Sequence, residues 1–207
     1  MGGASIGPMS WIERIPYAVA TGRLRAIYER VKGPRGELDN ILTVHSLRPH
    51  TLEGHLALYK NVLHHTANVL PTWWLETIGV YVSRLNGCAY CVDHHFAGLV
   101  RLLADENRAA RVRAAIDDDD LSAFDARERS MLSYARRLTL EPHAVTRADF
   151  EPMRDAGLSD GEILEVNQVV AYFAYANRTV SGLGVTTHGD VLGLSPADTA
   201  GDDWQHG

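Results

Sequence analysis

The chain has 207 residues, 45% of them hydrophobic and 22% charged, with a formal net charge of −6. That size buries a core without disulfides, and the acidic balance excludes a general nucleic-acid binder, which needs a basic face. No apolar run approaches membrane-spanning length.

The apolar spacing follows a period near 3.6 almost throughout, so the expected fold is all-α, a single-domain helical bundle. Residues 1–14 read as an N-terminal arm, 15–189 as the helical domain and 190–207 as an acidic, frayed tail. The N-terminal Met1-Gly2-Gly3-Ala4-Ser5-Ile6 has no basic region and no apolar signal core, and Ile6 stands where myristoylation needs Ser or Thr. A cytoplasmic location is expected. A first helix is predicted over 19–32, stopped by Gly33-Pro34-Arg35-Gly36. Helices over 40–47 and 50–66 follow. Pro71 reads as a first-turn proline for a helix running to Leu85, and Asn86-Gly87 breaks it.

The next helix, over 88–103, carries the two cysteines of the chain, Cys88 and Cys91, in Asn86-Gly87-Cys88-Ala89-Tyr90-Cys91-Val92-Asp93-His94-His95. A short helix over 105–116 precedes four aspartates, Asp117 to Asp120, read as a solvated loop. Asp125-x-x-Glu128 opens a helix over 125–138. Thr146-x-x-Asp149 opens a short one, and Ser159-x-x-Glu162 is a capping box before a long apolar helix ending near Gly182.

In a reducing compartment a Cys-x-x-Cys is more often catalytic or metal-binding than structural. With Cys88 at the helix N-cap, both sulfurs lie near free backbone N–H groups and the positive end of the helix dipole. That environment lowers a thiol pKa. Residues three apart on a helix are close enough to form a disulfide. His95, four residues after Cys91, shares its face and can take the thiol proton; His94, three after, borders the same face, and spacing does not choose between them. Glu76 has no cation three or four residues away on its helix. Its stripe continues through the small or slender Gly79, Val80, Ser83 and Gly87, which lets a second helix approach, and a carboxylate there can hold a histidine in one tautomer.

Competing readings stand beside this one. Cys88, Cys91 and His95 are three potential zinc ligands where a structural site wants four. An inert buried pair is the blandest alternative. His95 alone fits a satisfied core histidine, and Glu76 alone a surface carboxylate. Trp73, Trp74, Tyr172, Phe173 and Tyr175 read as core or subunit interface, and His64-His65 as a solvated helix end.

Glu76, then Cys88 twelve residues on, Cys91 three on and His95 four on, resembles the active-site signature of the alkylhydroperoxidase D-like branch of the carboxymuconolactone decarboxylase superfamily. The segment Tyr172-Phe173-Ala174-Tyr175-Ala176-Asn177-Arg178 with Gly182-Leu183-Gly184 resembles the terminal helix of its peroxidase-related members. The resemblance spans roughly residues 15 to 187. It implies an all-α domain that forms trimers or hexamers and a peroxidase cycle without cofactor or metal. In that cycle Cys91 is the peroxidatic thiolate, Cys88 the resolving thiol, His95 the proton shuttle and Glu76 the group that orients it. It further implies a peroxide substrate and a dithiol reductant, a lipoyl-bearing or thioredoxin-like protein, acting at the more exposed Cys88. The best-known members carry a histidine just before the second cysteine; here Tyr90 stands there, able to donate a hydrogen bond but a poor base at neutral pH. A redox-sensing or scaffolding oligomer, a lactone decarboxylase and a zinc module are the alternatives.

Overall fold

The computed structural model describes residues 9–194. The fold is all-α: among the described residues there is no strand. The helices in chain order are α1 (Gly22–Val31), α2 (Asn40–Thr43), α3 (Pro49–Leu63), α4 (Thr72–Leu85), α5 (Ala89–Leu103), α6 (Glu106–Asp117), α7 (Ala126–Leu140), α8 (Glu151–Asp155) and α9 (Asp160–Gly182). None of the described helices is long and apolar enough to cross a membrane.

The core is built around α4, whose residues from Trp74 to Ser83 are all buried. A helix buried on every side needs partners on every side. α5 folds back along one side, α9 crosses another, and α7 and α6 close the rest. The main apolar cluster runs from Ile78 and Tyr81 of α4 through Met131 and Leu132 of α7 to Val166, Val169 and Phe173 of α9. A smaller cluster under α1 and α3 contains Ile27, Tyr28 and Leu52.

The helix ends follow local chemistry. Asp125 and Ser159 cap α7 and α9, each in a reciprocal box with a glutamate three residues on. Thr146 and Asp149 form the same box around a 3-10 turn that runs into α8. Pro71 differs from the first-turn position expected of it. It is the N-cap, with extended backbone, and α4 begins one residue later. The helix expected over 40–47 is a single turn, α2, followed by turns up to Arg48.

The four-aspartate run is exposed at Asp118, Asp119 and Asp120, as expected of a solvated loop, yet three of its carboxylates have partners. Asp117 accepts from Arg113, Asp119 accepts from Tyr81 and Arg136, and Asp120 caps the next 3-10 turn through Ser122. Of the arm read over 1–14, residues 1–8 lie outside the described residues. Its end is tied to the far end of the domain: the Trp11 N–H donates to the Leu183 carbonyl and the Thr186 N–H to the Met9 carbonyl. Of the tail read from 190, residues 195–207 lie outside the described residues, while Asp190 is packed into the domain.

Candidate active site

The turn between α4 and α5 sets the position of the thiols. Gly87 takes a left-handed φ of 68°. Its N–H donates to the Arg84 carbonyl, and the Cys88 N–H to the Ser83 carbonyl at 2.9 Å. This is a Schellman closure of α4, and it demands a residue without Cβ strain at Gly87. Cys88 is at the same time the N-cap of α5. One residue therefore ends a helix and starts the next, and Cys91 follows in the first turn.

Both cysteines are free thiols, their sulfurs 2.8 Å apart, and each residue is only 2% exposed. The two thiols hydrogen-bond one another, Cys88 donating to Cys91 in the neutral pair; once Cys88 is ionised the Cys91 thiol donates to it, and this is the largest influence lowering the Cys88 pKa, to about 7. The same bond, with burial, pushes Cys91 well above the ordinary thiol range. The pair thus shares one proton and favours one negative charge. Asn177 of α9 lies beside Cys91 and Ser181 beside Cys88, and each favours the thiolate of its neighbour. Asn177 also donates to Ser83 at 3.0 Å and accepts from Asn86 at 2.9 Å, so it locks the turn that carries the thiols.

Glu76 is fully buried, in contrast to the surface carboxylate that it resembles when read alone. Its Oε2 lies 2.7 Å from His95 Nδ1. That contact leaves the opposite ring nitrogen of His95 for chemistry. The stripe beside Glu76 is filled by α9: a Cβ at Gly79 would sit 2.1 Å from the Phe173 ring. Phe173 in turn meets the His95 ring edge-on, centroids 4.6 Å apart. The small residue at 79 thus admits the aromatic that fixes the imidazole plane.

His94 and Tyr90 point elsewhere. Their rings stack at 4.5 Å, the Tyr90 hydroxyl donates to Asp190 at 2.8 Å, and His94 Nε2 lies 3.1 Å from the same carboxylate oxygen. Asp190 also accepts from the Asn40 N–H, and the Ile41 N–H donates to the Tyr90 hydroxyl. Burial and the nearby Asp190 charge push the Tyr90 hydroxyl far above its usual pKa, so it is no base. Asp39 faces the same group, and burial raises its carboxyl to about 6.

A cavity of about 210 Å³ opens onto this region. Cys91, His95, His94 and Tyr90 reach its wall, with Tyr59, Leu56 and Tyr172 among the apolar surface and Arg30, Lys32 and Lys60 among its charged residues. Cys88 is not part of that wall, and it is no more exposed than Cys91, which corrects the expectation that Cys88 is the accessible thiol. Among the described residues, the ligating atoms that come within 4.8 Å of one another belong to Asp39, His94 and Asp190, not to the Cys88, Cys91 and His95 of a zinc reading. Asp190 already accepts from three groups, so its oxygens are engaged within the protein.

Several of these residues escape a reading of the sequence. Asn177 is a polar residue on the buried stripe of Phe173, Ala176 and Val180, a signal that is visible in hindsight. Asp190 stands where composition points to a frayed tail. His64, expected at a solvated helix end, is a buried residue beside Glu76.

The sequence model of the carboxymuconolactone decarboxylase family matches residues 49–137. Comparison with curated sequences finds no match. Among solved structures, the alkylhydroperoxidase AhpD core of a peroxidase-related protein from Ralstonia eutropha JMP134 superposes with a TM-score of 0.76 at 25% identity, over 87% of this chain and 93% of that one. A peroxidase-related protein from Silicibacter sp. TM1040 gives 0.76 at 24% identity, over 89% and 95%. The apo debrominase Bmp8 gives 0.67 at 18% identity, over 88% and 92%, a likeness of fold. The family match runs from α3 into α7 and the fold is shared along nearly the whole chain, so this protein is similar to the carboxymuconolactone decarboxylase family and to peroxidase-related proteins with the alkylhydroperoxidase AhpD core.

Proposed function

We propose that the chain is a thiol-dependent peroxidase that reduces organic hydroperoxides or hydrogen peroxide. One observation carries the reading: a single cavity reaches both Cys91 and His95, and His95 is held by a fully buried carboxylate. The apolar wall of Leu56, Tyr59 and Tyr172 suits an organic hydroperoxide better than hydrogen peroxide.

In this reading Cys91 attacks, although the resting charge favours Cys88, because access selects the nucleophile. The Cys91 proton passes to His95 or across the 2.8 Å contact to Cys88. The Cys91 thiolate attacks the terminal oxygen of ROOH, an S–O bond forms and the O–O bond breaks. The alkoxide leaves as ROH with a proton from His95, and Cys91 becomes a sulfenic acid. Cys88 then attacks that sulfur, a disulfide forms and water leaves. A dithiol reductant of lipoyl or thioredoxin-like type supplies two electrons and two protons to reopen it. A homo-oligomer in a reducing, cytoplasmic setting fits this cycle.

A second reading has its own support. Both sulfurs are almost fully buried, which hinders a protein reductant. A chain that forms its disulfide once per oxidation event, without turnover, is a redox sensor. The two readings separate in one assay, peroxide consumption with a lipoyl or thioredoxin-type reductant. The peroxidase reading predicts sustained turnover in the wild type, none in Cys91→Ser, and a trappable sulfenic acid without turnover in Cys88→Ser. Full turnover in Cys91→Ser would sink it, and a stoichiometric disulfide that no dithiol reopens would establish the sensor.

A further inference from the structure

His64 caps the C-terminus of α3, and its side chain is wholly buried. Its Nε2 lies 3.8 Å from Glu76 Oε1, while the other Glu76 oxygen holds His95. Neither ring nitrogen of His64 nor Glu76 Oε1 has a hydrogen-bond partner among the described residues. Three buried polar atoms without partners are unusual, and two of them, His64 Nε2 and Glu76 Oε1, face each other. The gap is about 0.6 Å beyond the usual N–H···O range. Tyr59 braces the arrangement, edge-on to His64 at 4.8 Å and to His95 at 6.3 Å.

We propose that His64 is a positioning residue that acts through Glu76: its imidazole turns an Nε2–H toward Oε1 and holds the carboxylate in place, so that His95 carries its proton on Nδ1 and accepts the thiol proton on its other nitrogen. This inference rests on the thiol chemistry proposed above. Burial lowers the His64 pKa to about 4, so the ring is neutral at physiological pH and has one N–H to give. A buried carboxylate is costly to leave with an oxygen that no donor satisfies. A second donor lowers that cost and fixes the plane of the carboxylate. The titratable groups facing this set are His55, Tyr59 and Lys60 of α3, Cys88 at the N-cap of α5, Cys91 and His95 within it, Tyr172 of α9, and Asp39 ahead of α2, whose charge reaches His95. Asp39 is the other carboxylate among them, and the hydrogen bond to His95 Nδ1 is made by Glu76.

The test is the pH dependence of thiol alkylation by iodoacetamide, which reads the thiolate whether or not the protein turns over peroxide. In His64→Phe the midpoint should rise by about one unit, a roughly tenfold slower reaction at neutral pH. In His64→Gln, whose amide N–H occupies the place of Nε2–H, the midpoint should stay with the wild type. If peroxide is consumed, kcat should fall in His64→Phe with KM unchanged. Should His64→Phe fail to fold, His64→Asn, whose shorter amide cannot reach Oε1, takes its place and should shift the midpoint as the phenylalanine would. An unshifted midpoint in the folded Phe or Asn variant, or a shift in Gln equal to theirs, overturns the inference. These shifts in the variants of a protein whose wild type consumes no peroxide would instead defeat the peroxidase reading alone.

Discussion

Glu76 is fully buried between two imidazoles, His95 at 2.7 Å and His64 at 3.8 Å, and its contact with Nδ1 decides which nitrogen of His95 is left to act as a base. Glu76→Gln replaces the acceptor with an amide. If the amide N–H faces Nδ1, the His95 proton moves to the outer nitrogen and the base is lost. Losing a positioned general base costs about 10²–10⁴ in rate. Peroxide consumption in Glu76→Gln should fall within that range, with the protein folded, because removing a buried charge does not weaken packing. Consumption at the wild-type rate would show that the 2.7 Å contact is structural only. Asn177 belongs at the same scale. It bridges the turn at Asn86 and Ser83 to Cys91, so Asn177→Leu should loosen the thiol pair and raise the pH midpoint of alkylation, while Asn177→Asp should raise it further by adding a charge beside the sulfurs.

At the scale of elements, the α4–α5 turn and the face of α9 do most to build the site. Gly79→Ala puts a methyl against the Phe173 ring, where the added atom would lie 2.1 Å from the nearest ring carbon. Phe173 is fully buried, so the clash has no solvent-side relief. Overpacking of this kind costs about 1–3 kcal/mol. Urea unfolding of Gly79→Ala should show a loss in that range, and an unchanged midpoint would mean that α9 slides freely along α4. The α4–α5 turn was legible in the sequence because its signals are local: Asn86-Gly87 breaks the helix, and Cys88, Cys91 and His95 fall on one face by spacing alone. Glu76 was legible only by its lack of a local cation and by its distance from the cysteines. The partners contributed by α9, α3 and the segment after α9 were not legible. His64 ends a helix beside another histidine and a threonine, a local setting that signals solvent. Nothing in periodicity records that α4 lies over that end. Asp190 is followed by small and acidic residues, and composition cannot show that Asn40, Tyr90 and His94 converge on it from elsewhere in the chain.

Across the whole molecule, buried histidines make the fold sensitive to acid. Burial lowers His55 to about 3 and His64 to about 4, both below the ordinary 6.5. The unfolded chain takes up these two protons as pH falls below 6.5, whereas the folded chain resists until pH 3–4, so stability is lost over that window. Asp39 works in the opposite sense. Its raised pKa of about 6 lets the folded state bind a proton that the unfolded state does not take until near pH 4. Two protons against one leave a net of one, a slope on the order of 1.4 kcal/mol per pH unit between pH 6 and 4. His45, also lowered by burial, adds to the loss. Urea midpoints at pH 6.5 and 4.5 should therefore differ by a destabilisation at the lower pH, and His55→Phe should flatten the dependence. A stability that holds constant or rises on acidification contradicts this account of the buried histidines.

The central claim is that Cys91 meets the peroxide and Cys88 resolves it. It is tested most directly by adding one equivalent of cumene hydroperoxide to the reduced wild type and to Cys88→Ser, then identifying the oxidation state of each sulfur by mass spectrometry of the peptide that spans them. The account predicts an internal Cys88–Cys91 disulfide in the wild type and a sulfenic acid on Cys91 in the variant. Thiols that stay reduced in both, or oxidation that begins on Cys88 when Cys91 is present, would contradict it.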